Sequence, residues 1–331
     1  MLQFDHEKPR DVVAFGRATV DLYADDFGPM EEIGTFSKFV GGSPANTAVA
    51  MANLGLKTGY IGKVSDDGLG RFVIRYFQSK GIDVSHIAFA EPGVRSGLTI
   101  GEFLAPRQSN YYVYRNDCAD LHISCAQLDE AYIASHKMLL ISGTSLSHSP
   151  AREAVFLAME LARRNNTKIA LDLDYREGTW DSIEEASIYY TLACEKADMI
   201  LGTREEFDVM EHCYMPDSHD NNVSAQRLLK AGVSIVSIKK GKKGSDVYTA
   251  DGQVYEGSTY PAKIENTFGA GDSYSGAFNY CMIHGIPIPE ALKYAAASSS
   301  ITISGKSCSE AMPNLAQVEE YMHTHQYGAI D

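Results

Sequence analysis

Short apolar runs rich in valine and isoleucine alternate along the chain with longer stretches in which apolar residues recur at helical spacing. The runs predict strands at residues 11–16, 58–64, 137–143, 168–174, 197–202 and 233–241. The longer stretches predict helices at residues 46–54, 68–80, 151–165, 183–196, 224–230 and 272–284. Continuous apolar strands that alternate with helices indicate an α/β fold, in which helices cover both faces of a mainly parallel sheet.

Two segments, residues 19–40 and 95–115, break this alternation. They contain stretches such as SGLTIGEF and SNYYVYR, in which polar and apolar residues alternate without a crossover helix between them. This pattern is typical of half-exposed antiparallel strands. We expect a small β lid, formed by about residues 17–40 and 95–117 and inserted in a single domain that spans residues 1–331. A small ligand is expected in the cleft between lid and sheet.

Composition and charge narrow the class of protein. The 331 residues carry a formal net charge of -14, which argues against nucleic acid or anionic membrane as the main partner. The first residues, MLQFDHEKPRDVV, carry charges where a signal peptide needs an apolar stretch, and no apolar run approaches the ~20 residues of a membrane-spanning helix. The six cysteines form no C-x-x-C pair. These features predict a protein of the reducing cytoplasm.

The stretch NTFGAGDSYSGAF, residues 266–278, is the most informative about chemistry. Gly269, Ala270 and Gly271 leave backbone N–H groups uncovered before a predicted helix, where they can converge on an anion. Asp272 places a carboxylate beside this anion hole, although as a residue near a helix N-terminus we expect it to be a weak base. Phosphoryl transfer to an alcohol needs both parts, a hole for the phosphate charge and an acceptor for the hydroxyl proton. An aspartate that serves helix-terminus electrostatics fits this stretch equally well.

A second stretch, GGSPANTAVAMANLG, begins at Gly41 and Gly42. The glycines allow a ligand to approach the backbone, and Asn46 follows in the first turn of a predicted helix, where its amide suits a sugar hydroxyl. A turn followed by a small-residue helix that packs closely on the sheet also explains this stretch, and taken alone this structural interpretation is favoured.

Two further candidates lie at the ends of predicted strands. Asp21, at the entry to the lid, can accept hydrogen bonds from two hydroxyls of a polyol, although a turn residue gives the same pattern. The last predicted strand runs into a loop that contains Lys240, Gly241 and Gly244. Glycines after a strand, with lysines nearby, suit nucleotide phosphates, and tight β-turns often show the same residues.

These four motifs occur in the order and approximate spacing of the PfkB (ribokinase-like) carbohydrate kinases, which the chain resembles from about residue 11 to residue 313. The resemblance implies a ribokinase-like three-layer sandwich with a β lid, ATP as the phosphoryl donor with Mg²⁺, and a sugar hydroxyl as the acceptor. It implies that Asp272 is the catalytic base and that residues 269–271 form the anion hole. It also implies that Asp21, Gly41, Gly42 and Asn46 bind the sugar.

The chain departs from the family's pattern in two places. Glu205 matches the acid of the family's N-x-x-E motif, which helps to hold Mg²⁺ through water, but Gly202 stands where asparagine is usual. Asn266 replaces the first aspartate of the usual D-T-x-G-A-G-D. If a monovalent cation such as K⁺ binds near this loop, as the resemblance implies, backbone carbonyls have to supply more of its ligands.

Several stretches, FSKFVGGSPAN, DYREGTW, LGTREEFDVME, NTFGAGDSY and SCSEAMP, are similar to family members that phosphorylate the C6 hydroxyl of a keto sugar acid in myo-inositol catabolism. A sugar carboxylate needs a cation, for which Arg176, Arg115 and Lys38 are candidates. Arginine grips a carboxylate bidentately, which favours Arg176 and Arg115 over Lys38. Each of the three also fits an ordinary surface cation.

Two other functions stay open from the sequence. One is a kinase for 2-keto-3-deoxygluconate, fructose or a related sugar; a neutral sugar would not need Arg176 or Arg115. The other is a non-catalytic sugar or nucleotide sensor on a kinase fold, which the missing asparagine at position 202 would suit. A Rossmann oxidoreductase is disfavoured because no G-x-G-x-x-G follows a strand. The resemblance also allows a homodimer formed through the lid.

Overall fold

The computed structural model describes residues 2–105 and 108–328. Its strands are β1 (Arg10–Phe15), β2 (Thr19–Phe27), β3 (Phe36–Gly41), β4 (Thr58–Val64), β5 (Asp83–Phe89), β6 (Leu98–Ala105), β7 (Gln108–Tyr114), β8 (His136–Ser142), β9 (Lys168–Asp172), β10 (Met199–Thr203), β11 (Ile235–Lys239), β12 (Ser245–Thr249) and β13 (Val254–Gly257). Its α-helices are α1 (Ser43–Asn53), α2 (Gly68–Ser79), α3 (Glu130–Ala134), α4 (Ala151–Arg164), α5 (Ile183–Cys194), α6 (Arg204–Glu211), α7 (Asn221–Lys230), α8 (Ala270–Ile283), α9 (Ile288–Ile303) and α10 (Leu315–Thr324).

The main sheet has the strand order β13-β12-β11-β10-β9-β8-β1-β4-β5. All neighbouring pairs from β11 to β5 are parallel, whereas β12 and β13 add an antiparallel edge. The prediction of a mainly parallel sheet is therefore confirmed. Because the carboxyl ends of parallel strands meet at one edge, the residues at the ends of β9, β10 and β11 lie near each other.

Helices cover both faces of this sheet, and β1 shows how its residues are shared between them. Val12 and Ala14 belong to one buried apolar cluster, together with residues of α1, α2, α8 and α9. Val13 and Phe15 belong to a second cluster, with residues of α3, α4, α5 and α7. Alternate side chains of a strand point to opposite faces, so a continuous apolar run fills two cores and gives three layers.

The lid is a four-stranded sheet with the order β3-β2-β6-β7. Both hairpin-like pairs are antiparallel, but β2 and β6 run parallel, which corrects the expectation of antiparallel strands throughout. The reason is that β2 follows β1 and β6 follows β5, and these two strands of the main sheet point in the same direction. Pro106 and Arg107, part of the predicted lid, lie outside the described residues.

Small residues bring α1 and α8 close together. A Cβ atom added at Gly276 of α8 would lie 2.5 Å from the Cβ of Ala50 in α1. This close packing holds the N-terminal turns of the two helices, which carry Asn46 and Asp272, side by side. Within the described ranges, no helix combines the length and the apolar character needed to span a membrane.

Candidate active site

The N-terminal turns of α1 and α8 meet at a hydrogen bond. Asn46 Nδ2 donates to Asp272 Oδ2 at 2.8 Å, across 226 positions of sequence. The helix α8 begins after Gly269, which has the left-handed φ of 71°. A Cβ at Gly269 would lie 3.0 Å from the Cβ of Cys308, so a larger residue would have to displace that neighbour. The structure thus brings together the GAGD loop and the amide of Asn46.

The surroundings of Asp272 make it a better base than its place on a helix suggests. Burial, followed by the negative charge of Asp174, raises the pKa of Asp272 to about 6, against the opposing hydrogen bonds from Asn46 and Ser43. The expectation of a weak base considered only the helix terminus and left out burial and the neighbouring acid. A carboxylate with a pKa near the working pH suits general base catalysis.

Charged residues gather at the carboxyl edge of the sheet, below Asp272. Asp172 ends β9 and forms an ion pair with Lys239 at the end of β11, with 3.2 Å between the carboxylate oxygen and the ammonium nitrogen. Asp174 pairs with Arg176 at 2.6 Å and lies 3.8 Å from Arg17. Sequence reasoning missed Asp172, Arg17 and Lys239, which lie in or just after apolar strands, and assigned no role to Asp174, the first residue of DYREGTW.

The acid that faces this cluster is Glu206, the residue that follows the predicted Glu205. Glu206 accepts hydrogen bonds from the backbone N–H groups of Tyr175 at 3.0 Å and Thr203 at 2.7 Å. Burial raises the pKa of Glu206 to about 7, opposed by Lys239 and reinforced by Asp172 and Asp174. Glu205 lies exposed on α6.

Glu206, and not Glu205, faces the cluster because of where β10 ends. This strand includes Gly202 and extends to Thr203, which caps α6 in a capping box with Glu206 three residues later. Thr203 therefore takes the first position of the N-x-x-E pattern, and Glu206 takes the last. A Cβ at Gly202 would lie 2.8 Å from Leu173 Cδ1, so this glycine is explained by packing within the sheet.

The predicted sugar-binding residues Asp21 and Gly41 are also brought together. Asp21 is buried and accepts hydrogen bonds from Tyr23 at 3.0 Å and Thr19 at 3.3 Å. A Cβ at Gly41 would lie 2.1 Å from both carboxylate oxygens of Asp21. Gly42, at φ 96°, could not carry a side chain without meeting the Arg17 carbonyl at 2.7 Å. The two glycines thus let the lid strand β3 pass over Asp21.

Aromatic contacts connect the lid to the anion-hole loop. The rings of Tyr111 in β7 and Phe268, which precedes Gly269, lie edge to face at 3.8 Å between centroids. The hydroxyl of Tyr23 contacts Cys308 Sγ at 3.2 Å as well as Asp21. The described lid therefore packs directly on the GAGD loop and forms one wall of the cleft between lid and sheet.

The three candidate cations for a carboxylate have different surroundings. Arg176 is half exposed; Asp174, followed by Asp272 and Glu206, raises its pKa against the effect of burial. Arg115 is buried and donates to Asp120 Oδ2 at 2.5 and 3.0 Å, so most of its donors are occupied. Lys38 lies exposed, with its ammonium 4.2 Å from the centroid of the Phe72 ring. Lys38 thus has the surroundings of a surface cation.

Beside Arg115 lies a cavity of about 390 Å³, lined also by Trp180, His122 and His148. Among the described residues, Arg115 Nη1 and Trp180 Nε1 have no hydrogen-bond partner, and both atoms are buried. Burying an unpaired donor costs about 1–3 kcal/mol. Both atoms are shielded from solvent, so neither donor faces the cavity in this arrangement of the side chains.

The loop after β11 agrees only in part with the nucleotide prediction. The ammonium of Lys240 pairs with Asp246, on the neighbouring strand β12, whereas Lys239 reaches the charged cluster. Gly244, at φ 82°, would place a Cβ 2.0 Å from the Gly257 carbonyl oxygen, so the turn itself requires this glycine. Around Gly241, no described atom lies within 4 Å of the position of a Cβ. Its backbone is therefore the open part of this loop.

Asn266, which replaces an aspartate of the family's pattern, ties the GAGD loop to a neighbouring turn. Its Oδ1 accepts the N–H of Phe268 at 2.6 Å. Its Nδ2 donates to the carbonyl oxygens of Lys306 at 2.8 Å and Gly305 at 3.4 Å. These carbonyls are therefore already engaged by a neutral donor.

Comparisons with known proteins agree with this geometry. The family model for pfkB family carbohydrate kinases matches residues 9–315. The 5-dehydro-2-deoxygluconokinase of Geobacillus kaustophilus (strain HTA426) is 49% identical over 329 residues, which cover 99% of this chain and 98% of that protein. The enzyme of the same name from Geobacillus thermodenitrificans (strain NG80-2) is 50% identical over 323 residues, with 97% and 96% covered.

A solved structure shows the same fold at lower identity. The fructokinase with bound ATP from Xylella fastidiosa superimposes with a TM-score of 0.84 at 22% identity, over 95% of this chain and 98% of that chain. The ribokinase-like α/β sandwich predicted from the sequence is confirmed.

Proposed function

This chain belongs to the pfkB family of carbohydrate kinases, and from that premise we propose that it transfers the γ-phosphate of ATP to the C6 hydroxyl of 5-dehydro-2-deoxy-D-gluconate in myo-inositol catabolism. The observation that best supports this reaction is the Asn46–Asp272 hydrogen bond. It places a residue predicted to bind the sugar beside the base and the anion hole. Support for the substrate comes from the 5-dehydro-2-deoxygluconokinases that match almost the full chain, and from Arg176, whose pKa is raised in part by Asp272.

The proposed reaction uses the described residues in fixed roles. Asp21, Gly42 and Asn46 hold the sugar hydroxyls, and the lid packed on Phe268 excludes water. Asp272 accepts the proton of the C6 hydroxyl as its oxygen attacks the γ-phosphorus. The backbone N–H groups of residues 269–271 stabilise the charge on the transferred phosphate. ADP leaves with the electrons of the broken P–O bond.

The sugar carboxylate is proposed to lie between Arg176 and the cavity beside Arg115. Asp174 holds the Arg176 guanidinium from one side at 2.6 Å, and about half of the side chain is exposed. Arg115 lies at the cavity, with its guanidinium bound to Asp120. A neutral sugar would give the exposed part of Arg176 no anionic partner, so this residue favours a sugar acid over fructose.

The residues present fit a magnesium ion held through water and phosphates. Among the described residues, no group of three or more His, Cys, Asp or Glu is arranged to hold a metal alone. Glu206 is nevertheless half-buried near Asp172 and Asp174, and a cation would stabilise such adjacent acids. Mg²⁺ usually keeps several waters and binds through one or two carboxylates plus substrate phosphates. When bound, it would neutralise phosphate charge.

We expect Glu206→Gln to raise the Mg²⁺ concentration needed for half-maximal activity by about tenfold, as for other outer ligands of metals. Glutamine keeps the shape of the side chain and one acceptor oxygen, which can still accept the Thr203 N–H that closes the capping box, so α6 is expected to persist. Glu205→Gln is the matched control and should leave the Mg²⁺ requirement unchanged. A magnesium titration of all three proteins, with melting temperatures, checks this. Equal titrations for wild type and Glu206→Gln would contradict the assignment.

A monovalent cation such as K⁺ is proposed to bind near the GAGD loop, with backbone carbonyls as its ligands. The amide of Asn266 uses one lone pair of each carbonyl of Gly305 and Lys306, and the second lone pair stays free for a cation. We expect faster turnover in potassium chloride than in choline chloride at equal ionic strength. Asn266→Asp, which replaces the donor with a carboxylate, should strengthen this dependence. Equal turnover of wild type in both salts would show that no cation is needed.

We also propose a homodimer and a cytoplasmic location. The exposed side chains of Tyr112, Val113 and Tyr114 on β7 suit a homodimer formed through the lid. All six cysteines are free thiols, four of them buried, which suits the reducing cytoplasm.

The test of the proposed function is an ADP-release assay with MgATP against a panel of sugars and sugar acids. Turnover that is fastest with 5-dehydro-2-deoxy-D-gluconate supports the proposal. Turnover only with fructose or another neutral sugar would keep the kinase and discard the carboxylate assignment. Binding of ATP and sugar without any ADP would support a non-catalytic sensor instead.

A further inference from the structure

The buried ammonium of Lys239 lies at the anion hole, and we propose that it is a further catalytic residue, which contacts the phosphoryl group during transfer. This inference rests on the proposed kinase reaction. It adds a side-chain cation to a hole that otherwise consists of backbone N–H groups.

The position of Lys239 is the first argument. Its side chain is 12% exposed, and its Nζ lies 3.2 and 3.4 Å from the two carboxylate oxygens of Asp172. On the other side, a Cβ placed on Gly271 would lie only 3.5 Å from this Nζ. The bare face of Gly271 therefore opens toward the ammonium, and a phosphate oxygen at the backbone of residues 269–271 is within its reach.

The charge of Lys239 is the second argument. Burial acts to lower its pKa, but Asp172 and Glu206, and then Asp272, raise the pKa above the ordinary value for lysine. The side chain thus stays protonated at every physiological pH. It also lies beside the N-terminus of α8, whose dipole is positive. The ammonium and the backbone N–H groups of this terminus therefore lie side by side, where both can contact one anion.

Asp172 positions the ammonium for this role. The hydroxyl of Ser275 in α8 also donates to Asp172, so the carboxylate is fixed between the helix and the lysine. An ion pair that only stabilises the fold does not need to lie at the anion hole, as Lys168 and Asp198 show. These two residues form a pair of the same length, 3.2 Å, at the opposite end of β9, and both are partly exposed.

Lys239 has an electrostatic role in the reaction and transfers no proton. The bond between the C6 oxygen and phosphorus forms while the bond from phosphorus to the bridging oxygen of ADP breaks. The proton of the hydroxyl passes to Asp272, and the electron pair leaves with ADP. The non-bridging oxygens keep their negative charge throughout, and the ammonium stabilises that charge beside the backbone donors.

The experiment compares Lys239→Met, the double variant Asp172→Asn/Lys239→Met and the control Lys168→Met. Lys239→Met is expected to lower kcat about a hundredfold, as for the loss of one donor from an anion hole. Its affinity for ADP alone should stay close to that of wild type, whereas tight binding of ADP with tetrafluoroaluminate and the sugar acid should be lost. Lys168→Met should retain kcat and both affinities.

The double variant separates catalysis from stability. It removes the buried carboxylate that Lys239→Met leaves unpaired, so the melting temperature should recover while kcat stays low. Recovery of kcat together with stability would show that Lys239 is only a counter-ion, and would overturn the proposal. Retained binding of the fluoroaluminate complex in Lys239→Met would also overturn it. Failure of the proposed function is a different result, because wild type itself would then release no ADP with any sugar.

Discussion

Asp272→Asn is expected to lower kcat by about 10²–10⁴-fold, the range that a general base contributes. Asparagine cannot accept the C6 proton, yet it can still accept the hydrogen bond from Asn46 and leaves the anion hole in place. Affinities for ATP and for the sugar acid should therefore change little. An ADP-release assay measures the first effect, and calorimetric titration measures the second.

The same substitution should make the protein more stable, which separates a catalytic loss from a folding defect. The pKa of Asp272 is about 6 in the folded chain against 3.8 for an ordinary aspartate, so its ionised form costs about 3 kcal/mol of stability at neutral pH. Because the folded state holds the proton more tightly, wild-type stability should fall as the pH rises from about 4 to about 6. In Asp272→Asn this fall should be weaker.

Thermal unfolding of both proteins between pH 4 and pH 7 checks this expectation. The variant should melt a few degrees higher than wild type at neutral pH. A variant that retained most of its kcat would contradict the role of Asp272 as the base. A variant that lost kcat and also melted lower would point to a structural role of the carboxylate, through its contact with Asn46.

The strands of the core were predictable from apolar runs, whereas the edge strands were not. β5 is partly exposed along its length and has the sequence DVSHIAF, so neither a continuous apolar run nor a clear alternation marks it. The hairpin of β12 and β13 did carry a signal. Asp251 and Gly252 lie between two short runs, and Gly252 has the positive φ of 81° that such turns require.

The residues of the site were predictable where a close approach or a positive φ demanded a glycine, as at Gly41 and Gly269 respectively. They were not predictable where either of two identical neighbouring residues could face the site, as with Glu205 and Glu206 or Lys239 and Lys240. The choice in each pair depends on where a strand ends, and this is uncertain by one residue from sequence. For the glutamates, the capping box of Thr203 and Glu206 was a usable signal.

Arg176→Met is expected to lower kcat/KM for the sugar acid by about a hundredfold, since a charged hydrogen bond contributes up to about 3 kcal/mol. A neutral sugar that is also phosphorylated should lose much less, because it has no carboxylate for Arg176 to bind. Arg164→Met is the matched control. Arg164 pairs with Glu130 at 2.6 Å, as Arg176 does with Asp174, but it lies exposed on α4.

Arg176→Lys separates charge from geometry. Lysine keeps the positive charge beside Asp174 and Asp272 but loses the planar fork that binds a carboxylate bidentately, so an intermediate kcat/KM is expected. If both variants lowered turnover of acidic and neutral sugars equally, Arg176 would act by balancing the charge of Asp174. The carboxylate would then depend on another cation, such as Arg115 at the cavity beside Trp180.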